Sequence, residues 1–171
     1  MLSVEQVPAK TPQRGQLVTW DAIQTFMFAG NARFTLLSLK TGMRYTYRVK
    51  VKKQDLENAL QGSAITYFVE TLRGPNNGTD YRYLGVLRQP GTLWFTQASQ
   101  QLRGSPSANA LIWFLDAMDK GRDVLGKSLE FWHEGRCCHC GRALTVPKSI
   151  NDSAFNGGFG PECVKYFGGV Q

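Results

Sequence analysis

Between Met43 and Val51 apolar and polar, mostly basic, side chains alternate without a break. Met43, Tyr45, Tyr47, Val49 and Val51 hold the odd positions; Arg44, Thr46, Arg48 and Lys50 lie between them, and Lys52 continues the even set. Only an extended strand sorts such a sequence, because successive side chains of a strand point to opposite faces. The chain therefore needs a sheet with one face buried and one face basic, and it needs neighbouring strands to complete that sheet.

Flanking segments supply them. Ala32–Leu39 reads as a strand, joined to Met43–Val51 by a tight turn at Lys40-Thr41-Gly42, where glycine takes the positive φ. Ile65–Arg73, Asp80–Arg88 and Thr92–Gln97 read as further strands, separated by the turn-rich Gly74-Pro75-Asn76-Asn77-Gly78-Thr79 and by Pro90-Gly91. Gln54–Gln61 reads as a helical turn or a wide loop. The apolar spacing of Trp20, Ile23, Phe26 and Met27 predicts a short helix. A second helix should start at Ser105-Pro106-Ser107, bury Ala110, Leu111, Phe114, Leu115 and Met118, and end at Gly121. The expected fold is α+β: an antiparallel β-meander sheet packed by one or two helices, followed by a small treble-clef-like zinc module. Residues 1–16 read as a loose arm, 17–125 as the sheet domain and 130–171 as the zinc module.

That module rests on cysteine spacing. Three of the four cysteines crowd into Cys137-Cys138-His139-Cys140, and Cys163 follows a glycine-rich turn. A two-residue gap lets Cys137 and Cys140 turn their thiolates onto one metal, and Gly141 lets the backbone fold beneath them. Cys163 falls in the first turn of a short expected helix, whose N-terminus favours a thiolate. Three cysteines need a fourth ligand. His133 lies four residues before Cys137, close enough to fold back, whereas Cys138 and His139 sit inside the knuckle and should project outward; His139 is the alternative. Four protein ligands close the shell, so the Zn2+ is expected to be structural. Few large apolar residues lie in this segment, and metal binding would supply what a core cannot. Glu134 and Glu162 read as solvated surface residues rather than general bases.

The pattern His133…Cys137-x-x-Cys140-Gly141-Arg142-x-Leu144-Thr145-x-Pro147-x-Ser149-Ile150…Gly158-Phe159-Gly160-Pro161-x-Cys163 resembles a C-terminal zinc-knuckle family of bacteriophage and bacterial proteins, a domain of unknown function. Phe34-Thr35, Tyr45-Thr46-Tyr47-Arg48-Val49 and Gly74-Pro75-Asn76-Asn77 are similar to the domain that accompanies it in small phage proteins. The resemblance implies metal binding and a phage-like origin, with no established activity.

The net charge is +7, and residues 31–60 carry seven Lys or Arg against two acids. Concentrated on one strand, that charge suits a phosphate backbone. Arg44, Arg48, Lys50, Lys52 and Lys53 are the expected contacts, with Arg48 and Lys50 exposed and tolerant of substitution. Tyr67, Phe68, Tyr81 and Tyr83 on neighbouring strands either stack on bases or sit in the core. The leading expectation is a non-enzymatic, phage-type nucleic-acid-binding protein. The alternative is a counter-defence protein that binds an acidic surface of a host nucleic-acid-directed complex. No Ser-His-Asp cluster, phosphate-binding glycine loop or paired-carboxylate motif points to an enzyme. No apolar run reaches the length of a membrane span or a signal peptide, and clustered cysteines suit a reducing compartment, so the expected setting is the host bacterial cytoplasm.

Overall fold

The computed structural model describes residues 15–52, 54–55, 57, 61–62, 65–88 and 91–135. These residues include one antiparallel sheet and two complete α-helices. In chain order the elements are β1 (Gln16–Leu17), α1 (Trp20–Met27), β2 (Asn31–Ser38), β3 (Arg44–Lys50), β4 (Tyr67–Leu72), β5 (Tyr81–Arg88), β6 (Thr92–Trp94), a 3-10 helix (Gln97–Leu102), α2 (Pro106–Asp119) and β7 (Leu129–His133). The strand order is β1-β7-β2-β3-β4-β5-β6. From β2 to β6 this is the expected meander. Gln54, Asp55 and Glu57 are helical; the rest of 53–61 apart from Gln61 lies outside the described residues.

Local chemistry explains the elements. Thr19 caps α1 by accepting from the Ala22 amide at 3.3 Å, and Ser105 caps α2 by accepting from Ala108 at 3.3 Å, with Pro106 in the first turn. The β2–β3 turn closes with the Ser38 amide donating to the Met43 carbonyl at 3.0 Å, and Gly42 takes φ 72°. The register of β4 on β5 shifts between Val69 and Glu70. Beside that irregularity a Cβ on Gly85 would collide with the Trp94 carbonyl, so glycine there is what lets β6 approach.

Both helices pack on one face of the sheet. Phe34 and Phe131 stack at 4.7 Å between ring centroids, Phe114 of α2 lies 5.8 Å from Phe131, and Phe26 of α1 meets Phe131 edge-on at 5.8 Å. Tyr47 belongs to the same layer; it is fully buried, and its hydroxyl donates to the Ser107 carbonyl at 2.6 Å, tying β3 to the start of α2. Burial pushes the Tyr47 phenol far above its ordinary range, so it stays a donor.

The sheet reaches past both boundaries drawn from the sequence. Gln16, assigned to the arm, pairs with Trp132, and β7, assigned to the zinc module, lies inside the sheet between β1 and β2. Leu129 and Phe131 alternate with Glu130 and Trp132, a two-residue period long enough to bury two side chains and too short to stand out beside the cysteine cluster. The cysteines of the expected treble-clef-like module lie outside the described residues.

Tyr47→Phe should destabilise the fold by about 1–2 kcal/mol, because the Ser107 carbonyl loses a buried partner. The urea midpoint should fall with the slope unchanged. A midpoint equal to wild type would mean that the hydroxyl contributes nothing.

Candidate nucleic-acid interface and metal ligands

On the other face, register decides which side chains meet. Arg33 pairs with Arg48, Arg48 with Glu70, and Glu70 with Tyr83, forming one row across β2 to β5. A second row runs Asn31, Lys50, Phe68, Val86 and Trp94. Arg44 opposes Leu37, which also opposes Glu130 of β7. The even positions of β3 thus share one face, as expected, and Lys52 follows just beyond the strand with its ammonium 5.3 Å from the Phe68 ring centre. Lys53 lies outside the described residues.

This polar face is not a bare field of positive charge. Arg48 donates to Glu70 at 2.5 Å, and Lys50 approaches the same carboxylate at 3.2 Å. The Arg48 side chain is only 16% exposed and its guanidinium lies 4.4 Å over the Tyr81 ring. Arg48 is therefore not the exposed, freely substitutable residue expected from alternation alone, and reversing its charge would set a second acid against Glu70. Arg33 also lies over Tyr81, at 5.4 Å, and donates to the Asn77 carbonyl at 2.8 Å. Asn77 links the β4–β5 turn to the sheet: its amide donates to Glu134 at 3.0 Å and its side-chain oxygen accepts from the Tyr81 hydroxyl. Glu134, expected to be solvated, is half-buried and also accepts from the Thr35 hydroxyl. Of the four aromatics beside the basic strand, Tyr67 is in the core, whereas Phe68, Tyr81 and Tyr83 are half-buried on the polar face. Glu70, Asn77 and Glu134 could not be found by periodicity. Their partners depend on register and on one turn's path.

Of the four candidate zinc ligands, His133 alone is among the described residues. Its ring stacks on Phe26 with centroids 5.9 Å apart, and Nδ1 accepts from the Gly135 amide at 3.0 Å. An imidazole bound to zinc through Nε2 carries its proton on Nδ1, so ligation through either nitrogen requires the Gly135 contact to open. Cys137, Cys140 and Cys163, with the rival His139, lie outside the described residues. Within the described residues no three His, Cys, Asp or Glu side chains are grouped to hold a metal, and no helix is long and apolar enough to cross a membrane.

In comparisons with known proteins, the chain matches no protein family, and no curated protein or solved structure is significantly similar to it.

Burial raises the Glu70 carboxyl, but the hydrogen bond and charge of Arg48, with help from Lys50, outweigh it and hold the group below its ordinary 4.5. A depressed carboxyl stabilises the fold above its unfolded value and loses that contribution as pH falls through its folded value. Glu70→Gln should therefore cost about 2 kcal/mol at pH 7, and its deficit against wild type should shrink as urea unfolding is repeated at progressively lower pH below 4.5. A deficit independent of pH would show that the ion pair is not its source.

Proposed function

We propose that this is a zinc-containing, non-enzymatic protein of phage type that binds nucleic acid through the polar face of its sheet. The observation that carries this reading is the alignment of Arg44, Lys50 and Lys52 on one face with the half-buried rings of Phe68 and Tyr81 between and beside them. Cations that reach past a sheet hold phosphates, and aromatic rings among them offer contacts to bases. Arg48 and Arg33 act mainly as internal braces, so phosphate contact falls to Arg44, Lys52 and, in part, Lys50. Zn2+ bound by Cys137, Cys140, Cys163 and His133 would hold the C-terminal residues in a treble-clef-like module that stabilises or extends this surface. The phage origin rests on sequence resemblance alone, of the cysteine pattern and of the β segments that precede it.

A specific observation also favours the alternative, a counter-defence protein docking on an acidic surface of a host complex. Glu70, Glu130 and Glu134 lie among the basic residues of the same face, a mosaic of both signs that suits a protein partner.

Two measurements test these readings. Purified protein should carry about one zinc per chain. Cys137→Ser, Cys140→Ser and Cys163→Ser should each lose it, Cys138→Ser should keep it, and His133→Ala should weaken binding far more than His139→Ala. Retention of metal by Cys137→Ser with loss by Cys138→Ser would show that the ligand register is wrong. For the partner, affinity for labelled DNA and RNA should fall steeply with salt. Arg44→Ala combined with Lys52→Ala should flatten the slope of log affinity against log salt by roughly one to two. Unmeasurable nucleic-acid binding, with co-purification of a host complex that the double variant loses, would replace this reading with the alternative.

A further inference from the structure

Trp94 is 57% exposed, the most exposed of the large hydrophobic side chains among the described residues. It ends the second row; from Lys50 onward, Lys50 opposes Phe68, Phe68 opposes Val86, and Val86 opposes Trp94. Directly paired residues of antiparallel strands project to the same side, and strands lie about 4.8 Å apart, so this line crosses roughly 14 Å of the polar face. Two aromatic rings stand along it with a valine between them. At its start the Lys52 ammonium lies 5.3 Å from the Phe68 ring centre. No carboxylate belongs to the row. Glu70 and Glu134 lie on the Arg33–Arg48 side, and Glu130 lies beside Leu37. The neighbouring row is committed internally: Arg48 is held by Glu70 and Tyr81, and Arg33 by Asn77. Lys50 is shared with Glu70 at 3.2 Å, so what the Lys50–Trp94 row offers to something outside this sheet is its exposed indole and the Lys52 ammonium beside it.

We propose that this row is a track for single-stranded nucleic acid, with one base stacked on Trp94, a second against Phe68, and phosphate held by Lys52 with Lys50. The inference rests on the nucleic-acid reading above and narrows it. Bases in a duplex are stacked on each other and cannot offer their faces to an indole; unpaired bases can. A duplex would use the cations and leave Trp94 idle. Stacking is tolerant of sequence, so the track takes a strand by its chemistry rather than by its order of bases.

The test uses the full chain and fluorescence anisotropy with labelled oligo(dT) and oligo(U) of about 15 nucleotides, within the span of known single-strand sites, and a duplex of equal length, each over a salt series. Wild type should prefer the single strands, and the ratio of oligo(dT) to oligo(U) affinity distinguishes DNA from RNA as the occupant. Trp94→Ala should weaken single-strand binding roughly tenfold or more while leaving its salt slope and the duplex affinity unchanged. Trp94→Phe should retain most of the affinity. Lys52→Ala should instead lower the salt slope. The exposure of Trp94 predicts that both its variants stay folded, which circular dichroism checks. Equal binding of duplex and single strand, unaffected by Trp94→Ala, would overturn the track and leave the nucleic-acid reading intact. No binding of any nucleic acid by wild type would overturn both, as would a host protein whose capture depends on Trp94.

Discussion

Phe34 and Phe131 stack in the middle of the sheet, with Phe26, Phe114 and Tyr47 around them. Each ring buries a large apolar area, and the cluster joins five strands and helices spread from α1 to β7. It places β7 beside β2, gives α1 and α2 a common surface, and decides which way the pleat of every central strand must face. Once Tyr47 and Val49 point into that layer, Arg48 and Lys50 have to point out of it. The polar face is thus a consequence of the core. A one-residue slip of β3 would exchange the two, burying charge and exposing tyrosine.

The polar face is then shaped by pairing. Glu70 takes up Arg48 and part of Lys50, and Asn77 and Glu134 take up Arg33, Thr35 and Tyr81 between them. A partly buried guanidinium lying on a ring and facing a carboxylate is held in one geometry, and its charge is largely spent within the protein. What remains for an outside partner lies at the margins of the network, at Arg44, Lys52 and Trp94. Net charge alone would have assigned the same weight to every basic residue.

Sequence periodicity made β3 legible because nine consecutive positions alternate, and the helix that carries Phe114 was legible from its cap and its apolar spacing. β7 was not, because Leu129 and Phe131 give only two apolar positions, and His133 beside a cysteine cluster points to a metal rather than to a strand. The face of β3 could be read; its partners could not. Which residue meets Arg48 depends on the register of β4, which is set across a connection of more than a dozen residues, and Trp94 joins the Lys50 row only after the irregularity at Val69 and Glu70 shifts the register of β5. The cysteine pattern was legible as chemistry, since thiolate spacing states a ligand set without needing a fold.

Photo-crosslinking locates a bound strand on the protein surface. A uniformly thio-substituted oligonucleotide bound to the full chain is irradiated, and the attached peptides are identified by mass spectrometry. Crosslinks are expected on peptides that carry Lys50 to Lys52, Phe68 and Trp94, and none on the exposed helical surface at Ile112 and Trp113. Crosslinks confined to that helical surface, with the β3, β4 and β6 peptides unmodified, would contradict the track.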